Sequence, residues 1–360
     1  MTPQPTGSFK LTAEQLQADA FQCDAFTQLP EARDTSLRVR SMNEVLAMAK
    51  NQPIPQQLFG EFWHEGELCI LFSDSNAGKS ILAIQIGNSI SSGKAIKPFG
   101  LDAASQPVLY CDFELSAKQL EARYTQGYEH HYIFDDNFYR ADLNPDADIP
   151  AGFDSYEQYL NYSIEAAITD TGAKVVIIDN ITYIGTENES ARFALPLMKS
   201  LKAMKATYGL SILALAHTPK RDKSKPITSN DLQGSKMLMN FCDSSFAIGS
   251  SNQHADRRYL KQIKQRNTKQ IYGDDNVCLF DINKPHNFLQ YTFVGYGEER
   301  LHLQDEKQNE NEQYAEKVAA LREAGKSLRE IGAELGISFQ KADRLLKASG
   351  RKVREASRES

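Results

Sequence analysis

The stretch SDSNAGKS, at residues 73–80, could bind the phosphate groups of a nucleotide. Phosphate-binding loops follow the pattern G-x-x-x-x-G-K-[ST], and Gly78, Lys79 and Ser80 fit its last three positions. The first glycine of the pattern is replaced by Ser73. A chance turn is the alternative at this point, because only three positions match. The predicted nucleotide-binding residues are Ser75, Asn76, Ala77, Gly78, Lys79 and Ser80.

The flanking sequence supplies the context that such a site requires. ELCILF, before the loop, has the length and composition of a buried strand, and the apolar residues after it recur on one helical face. A loop between a strand and a helix directs its backbone N–H groups at phosphate, Lys79 would reach the β- and γ-phosphates, and Ser80 would hold Mg²⁺. A glycine at position 73 would have allowed a sharp turn without steric cost. Asn76 tolerates the left-handed conformation and is predicted to form part of the turn instead. The apolar residues on the helical face are Leu82, Ala83, Ile86 and Ile90.

Polar side chains end three further apolar strands. KVVIID ends in Asp179, PVLYCDFE in Glu114 and LSILALAH in His217. Ligands bind outside the carboxyl ends of strands in an open α/β sheet, so we expect these side chains to meet the loop in one crevice. Asp179 is placed to hold a metal ion together with Ser80. Each residue has an alternative interpretation: Asp179 as a turn cap, Glu114 as a solvated carboxylate, and His217 as a hydrogen-bonded interior histidine.

These strands alternate with helix-period segments, which predicts an α/β fold with a mostly parallel, twisted sheet and helices on its faces. We expect helices after the loop, at 155–169 and at 191–207. After residue 240, the runs SSFAIG, RYLKQIK, NVCLFDI and FLQYTFVG predict successive strands that extend or flank the sheet.

From GELCILFSDSNAGKS through VLYCDFE, VVIIDN and ILALAHTPK, the chain resembles RecA-like P-loop ATPases, and most closely the RepA-type and DnaB-like hexameric replicative helicases. The resemblance covers roughly residues 60–297. It implies a RecA-like core that uses ATP and Mg²⁺. It also implies that Glu114 activates the attacking water and that His217 senses the γ-phosphate.

A basic pair follows in RYLKQIKQRN, where alternation places Lys264 and Arg266 on one side of a strand. The resemblance implies that such a pair reaches into the site of a neighbouring subunit, as an arginine finger does, and therefore a homo-oligomer, with a ring favoured. A solvated basic face on an edge strand is the alternative.

A long polar loop, TPKRDKSKPITSNDLQGSK, follows His217. In RecA-like motors the loop after this strand lines a channel for single-stranded DNA, and its basic side chains could neutralise phosphates. A merely solvated loop is equally compatible with this composition. The candidate DNA-binding residues here are Lys220, Arg221, Lys223 and Lys225.

The segment 313–348 regains helical periodicity and predicts three short helices. Gly325 would end the first, Ser327 and Glu330 form a capping box for the second, and a turn at Gly336 leads to a third that Ser338 caps. This arrangement resembles a resolvase-type helix-turn-helix that binds duplex DNA, and a protein-interaction module of the same fold is the alternative. The outer face of the third helix would carry Gln340, Lys341, Arg344 and Lys347.

Composition sets the remaining bounds. The 360 residues are 41% hydrophobic and 24% charged with a net charge of −6, so any contact with nucleic acid must come from local basic patches. No run approaches the ~18 consecutive apolar residues of a membrane helix, and the N-terminus lacks the pattern of a secretory signal, which predicts a cytoplasmic protein without membrane contact.

We predict four segments: an arm (1–40), a RecA-like ATPase domain (41–297), a polar linker (298–312) and a helix-turn-helix domain with a basic tail (313–360).

Together these features predict an ATP-hydrolysing motor that acts on DNA, as a ring-forming replicative helicase of a plasmid or other mobile element. Two alternatives stay open. One is an ATP-switched DNA-binding regulator that separates no strands, and the other is a recombination accessory ATPase that forms filaments.

Overall fold

A computed structural model describes residues 38–144, 146–181, 190–219, 221–232 and 235–356. The chain divides between Ile54 and Pro55 into two units. In the first, helix α1 (Met42–Ala49) begins at a capping box formed by Ser41 and Glu44, and none of its residues is buried. The ATPase domain predicted from residue 41 includes α1, which this division assigns to the first unit. Most of the predicted arm lies outside the described residues.

Strands and helices alternate through the first part of the large unit. The strands are β1 (Gln57–Phe59), β2 (Trp63–His64), β3 (Leu68–Ser73), β4 (Val108–Asp112), β5 (Thr125–Gln126), β6 (His130–His131), β7 (Phe138–Asp142), β8 (Val175–Asp179), β9 (Ser211–His217), β10 (Ser244–Ser250), β11 (Arg257–Lys264), β12 (Val277–Asn283) and β13 (Gln290–Gly297). The helices are α2 (Lys79–Ser92), α3 (Ala117–Arg123), α4 (Tyr156–Thr171), α5 (Ser190–Tyr208), α6 (Ser235–Phe241), α7 (Glu306–Glu323), α8 (Leu328–Leu335) and α9 (Phe339–Ala356), with 3₁₀ turns at Ser229–Asp231 and Glu299–His302. No helix in the described part of the chain is both long and apolar enough to cross a membrane.

Within the described ranges, nine strands form one sheet in the order β13-β12-β11-β10-β3-β9-β8-β4-β7. Neighbouring strands pair in parallel along β10-β3-β9-β8-β4-β7. The strands β11, β12 and β13 continue the sheet beyond β10 in antiparallel pairs. The predicted α/β fold, with the large and mostly parallel sheet of a RecA-like core, is confirmed. The segments that follow β3, β4, β8 and β9 therefore all leave the sheet at the carboxyl ends of its parallel strands.

Two apolar layers hold this sheet between helices. In β3, Cys69 and Leu71 point into the layer that α2 covers, while Ile70 and Phe72 point into the layer under α4 and α5. Burial on both faces explains the unbroken apolar run LCILF, at residues 68–72. The predicted apolar face of α2 is confirmed, since all four of its residues are buried.

Several elements differ from the sequence predictions. The strand β4 ends at Asp112, so Glu114 lies beyond it. The short helix α6 was not predicted, but it ends at Phe241, and the strands expected after residue 240 follow it in succession. The stretch 298–312, predicted as a linker, contains a 3₁₀ turn in which Glu299 and His302 are buried, and then the start of α7. Long polar side chains favour helix as well as solvent, so low apolar content alone does not indicate a linker.

The tail helices form a small core of their own from Val318, Ile331, Ala342 and Leu345. The predicted capping box of Ser327 and Glu330 is present, and Gly336 ends α8 in the left-handed conformation. A Cβ on Gly332 would lie 2.8 Å from the carbonyl oxygen of Ile337, so the turn between α8 and α9 packs directly on the glycine.

Gly249→Ala tests how firmly β10 and β11 are packed beside β3. An added Cβ would lie 2.0 Å from the ring of Tyr259, which is fully buried and donates a 3.0 Å hydrogen bond to Glu299. We expect the free energy of unfolding to fall by about 3 kcal/mol, the upper end of the usual cost of overpacking. Urea denaturation measures it. Gly295→Ala is the matched control, because its Cβ meets nothing within 4 Å. Equal stability of the two variants would contradict the packing described.

Candidate nucleotide-binding site

The loop between β3 and α2 has the shape of a phosphate-binding loop. Asn76 has a φ of 60°, which confirms its predicted left-handed conformation, and Gly78 precedes α2 with a φ of 94°. A Cβ on Gly78 would lie 2.7 Å from the hydroxyl of Tyr291. Only glycine fits here, and the first N–H groups of α2, at Lys79 and Ser80, are left for a phosphate.

The residue that replaces the first glycine takes part in the site. Ser73 ends β3, and its backbone carbonyl and hydroxyl accept hydrogen bonds of 3.1 and 3.2 Å from the ammonium of Lys79. The carbonyl of Asp74 accepts a third, at 3.2 Å. Because Ser73 lies within the strand, the turn does not need a glycine there.

The ammonium of Lys79 is buried, and burial lowers its pKa to about 8, although the carboxylates of Asp179, Glu114 and Asp74 act in the opposite direction. The oxygens that it contacts directly are uncharged. A buried cation held by neutral dipoles is only partly compensated, so an anionic ligand at this position would stabilise the charged form.

Side chains of the antiparallel strands β11 and β13 hold the loop in place. The carbonyl of Ala77 accepts hydrogen bonds from the hydroxyl of Tyr291, at 2.7 Å, and from Nε of Arg258, at 3.2 Å. The side chain of Gln85, on α2, bonds both the backbone N–H and the carbonyl of Tyr291, at 2.8 and 3.0 Å. The strands β11 and β13 therefore fix both the loop and its helix. Sequence reasoning missed these residues, and no motif or spacing points to them.

Asp179 and Ser80 lie together and fit a magnesium ion. One oxygen of Asp179, Oδ2, accepts a 2.6 Å hydrogen bond from Tyr110, and Ser80 also donates to the carboxylate. The other oxygen, Oδ1, is buried and has no hydrogen-bond partner among the described residues. Burial raises the pKa of this carboxyl group. A buried carboxylate oxygen beside a hydroxyl is the kind of ligand set that Mg²⁺ takes, so the predicted metal residues come together.

His217 connects the lysine to the candidate base. Its Nδ1 lies 3.0 Å from the ammonium of Lys79, and its Nε2 lies 3.4 Å from Oε1 of Glu114. An ammonium can only donate, so Nδ1 accepts, and a neutral imidazole then carries its proton on Nε2, facing the carboxylate. The hydrogen bond from His217 is the main reason why the pKa of Glu114 is lowered. Asn180, which was not predicted, donates to the same Oε1.

The loop after β9 is anchored to the site. Asp74 accepts a hydrogen bond from the hydroxyl of Thr218 and lies 3.8 Å from Nε of Arg221, whose side chain is only 7% exposed. Arg221 therefore faces the phosphate loop and not a solvent channel, which differs from the DNA contact predicted for it. Lys225 is exposed beside Asp222, and Lys223 is also exposed. The remaining candidate, Lys220, lies outside the described residues.

The basic pair lies at the opposite end of the sheet. Lys264 ends β11 and donates to the carbonyls of Met239 and Cys242, at 2.5 and 2.8 Å. Arg266 follows the strand, is half exposed, and pairs at 2.9 Å with Asp243, which also bonds the N–H of Leu68. Leu68 begins β3, and the loop starts about 17 Å away at the other end of that strand. Within one chain, these residues do not reach the nucleotide site.

The predicted DNA-reading residues of the tail lie along α9. Gln340, Arg344 and Lys347 are exposed, and Lys347 pairs with Asp343 at 2.7 Å. Lys341 differs, because its ammonium lies 4.7 Å from the centre of the Tyr314 ring and is partly engaged within the tail itself.

The affinity for nucleotide should fall as the pH rises through about 8. In the free chain the pKa of Lys79 is about 8, and the phosphates require the charged form. Between pH 7 and 9 the protonated fraction falls from about 0.9 to about 0.1, so the dissociation constant of Mg·ATP should rise about tenfold. Titration calorimetry at several pH values measures it. Lys79→Arg, whose guanidinium stays charged, should show no such slope, and an equal slope in both proteins would contradict this assignment.

A known protein family covers the part of the chain that carries this site. Residues 33–223 match the model of a protein family described as an AAA domain, a match of more than half of the chain that includes the loop, Glu114, Asp179 and His217. A KaiC-like protein from the hyperthermophilic archaeon Pyrococcus horikoshii OT3 is similar in structure, with 16% sequence identity and a TM-score of 0.45, over 64% of this chain and 90% of that chain. No curated protein matches the sequence. The chain belongs to this family of AAA domains.

Proposed function

We propose that the chain is an ATP-hydrolysing motor that acts on DNA in the cytoplasm, as a ring-forming replicative helicase of the RepA and DnaB type from a plasmid or other mobile element. One observation supports the proposal that the chain hydrolyses ATP. Lys79, His217 and Glu114 form a continuous set of polar contacts at the carboxyl edge of the sheet. These contacts join the group that would bind the phosphates to the group that would activate water.

The residues of this site divide the chemistry. Lys79 exchanges its bonds to Ser73 and Asp74 for the β- and γ-phosphates, and so stabilises charge that develops in the transition state. Glu114 accepts a proton from the attacking water. His217, released when Lys79 moves to phosphate, reports that the γ-phosphate is present. Mg²⁺, held by Ser80 and Asp179, would neutralise phosphate charge when it is bound with the nucleotide.

The position of the basic pair supports a shared site. Arg266 lies far from its own phosphate loop and remains half exposed, so it can meet a nucleotide only in a neighbouring subunit. Contacts of this head-to-tail kind close into a ring when the rotation between subunits allows it. The exposed Lys223 and Lys225, and the tail as a helix-turn-helix, are the proposed contacts to single-stranded and duplex DNA respectively.

A second candidate, an ATP-switched DNA-binding regulator, is favoured by a series of contacts between the loop and the tail. Arg221 pairs with Asp74 in the phosphate loop, and the carbonyl of Lys223, in the same segment, accepts a 3.1 Å hydrogen bond from the N–H of Gln304. Gln304 lies just before α7 begins. A nucleotide could therefore affect the tail without strand separation. Unwinding of a forked duplex by the full chain would favour the helicase over this candidate.

Two variants separate the binding and hydrolysis of ATP. Lys79→Ala should abolish hydrolysis and weaken binding, because the main positive charge that faces the phosphates is lost. Glu114→Gln should keep ATP binding while turnover falls by about 100-fold or more, the usual effect of losing a positioned base. Hydrolysis is measured without DNA, with duplex and with single strands. Glu129→Gln, an exposed glutamate elsewhere, should behave as wild type. Undiminished turnover of Lys79→Ala would refute ATP hydrolysis at this site.

Mixing two inactive variants tests the shared site. Arg266→Ala should bind ATP normally but lose hydrolysis by on the order of 10³ if the guanidinium acts across the interface. In an equal mixture with Lys79→Ala, about a quarter of the interfaces of a ring pair an intact loop with an intact arginine, so activity should reappear. Arg300→Ala, which removes an exposed arginine paired with Glu298, is the control and should stay active. If mass measurements show subunit exchange and no activity returns, the shared site is wrong.

A further inference from the structure

Asn180 contacts two functional groups that come from neighbouring strands. It follows β8 directly, and its side chain is buried, with only 3% of its surface exposed. Its amide nitrogen, Nδ2, donates to Oε1 of Glu114 and lies 3.0 Å from Nε2 of His217, which is a contact between two N–H donors and not a hydrogen bond. Since Nε2 of His217 also faces Oε1 of Glu114, at 3.4 Å, a single carboxylate oxygen accepts from both donors.

The two donors differ in what nucleotide binding does to them. His217 is held on its other side by Lys79, at 3.0 Å, and this lysine has to move to bind phosphate. The contact of His217 with Glu114 therefore depends on the nucleotide. The contact of Asn180 with Glu114 is direct and does not pass through Lys79, and the N–H of the next residue, Ile181, bonds the carbonyl of Leu215 at 2.9 Å. The backbones of both donors are held by the sheet, since His217 ends β9 and Asn180 follows β8, and the two differ in the contact of His217 with Lys79.

A base in this position needs a fixed partner. The side chain of Glu114 is 40% exposed and lies beyond the end of β4, in the segment before α3, where the backbone alone does not define the direction of its carboxylate. A general base acts only when its oxygen lies within hydrogen-bond reach of the water, and a displacement of about 1 Å can cost about 100-fold in rate.

We propose that Asn180 is a positioning residue for ATP hydrolysis, which acts through Glu114 and keeps its carboxylate directed at the attacking water after His217 has been released. The inference rests on the proposed function, since it assigns Glu114 as the base. Asn180 acts on Glu114, which the proposed chemistry uses for hydrolysis and not for binding, so its loss should affect the rate of hydrolysis and not the binding of ATP.

Asn180→Ala in the full chain should lower kcat about 10- to 100-fold, while the KM and the dissociation constant for Mg·ATP stay within about twofold. Asn180→Asp keeps the shape of the side chain but replaces the donor by an acceptor, so its kcat should fall at least as far. Asn161→Ala, on α4, makes the same change in side chain at another position, and as the matched control it should keep the wild-type rate. Thermal unfolding of each variant shows whether it is folded, and the isosteric Asn180→Asp carries the test if Asn180→Ala is not.

A double variant distinguishes positioning from an independent effect. If Asn180 acts only through Glu114, Glu114→Gln combined with either substitution at Asn180 should be no slower than Glu114→Gln alone. The inference would be overturned if the losses in kcat of the two single variants multiplied in the double variant. It would also be overturned if both Asn180 variants kept the wild-type kcat, or if their loss appeared in the affinity for ATP. A wild-type chain that fails to bind or hydrolyse ATP would instead refute the proposed function, so the two failures are distinct.

Discussion

The register of four parallel strands is the constraint on which the site depends. The strands β4, β8, β9 and β3 are adjacent, and Asp112 pairs with Asp179, Ile178 with Ala214, and Ser73 with His217. The strands thus end almost level, and the side chains that follow them meet within hydrogen-bond distance. A slip of one residue would turn each side chain to the other face of the sheet. Tight apolar packing on both faces excludes such a slip, so the core sets the geometry of the chemistry.

This dependence explains which parts of the site can be predicted from the sequence. The loop, Asp179 and His217 belong to elements with strong local signals: an apolar run, then a polar residue or a glycine. The carboxyl ends of parallel strands meet for topological reasons, so assigning the strands also assigns the site. The helix caps of the tail, such as Ser327 with Glu330, are equally local, and the structure contains them where the sequence placed them.

Contacts between distant segments could not be predicted in the same way. Tyr291 bonds the carbonyl of Ala77 from 214 positions away, and Arg258 does so from 181. Neither residue belongs to a motif, and their role arises only because the fold brings β11 to the loop and β13 to both the loop and α2. Arg221 is a second example, in which a sequence prediction was made and the contact differs from it. Its charge suggested a solvent-facing contact with DNA, but its direction is set by Asp74, a residue that the spacing of the loop does not connect to it.

The buried ammonium of Lys79 also makes nucleotide binding an exchange of protons with the solvent. With a pKa of about 8 in the free chain, about half of the molecules carry a neutral lysine at that pH. Because the bound phosphates require the charged form, each binding event at pH 8 takes up about half a proton from the buffer. The heat measured on binding therefore includes the ionisation heat of the buffer. Binding enthalpies compared between buffers would report the protonation of this one side chain.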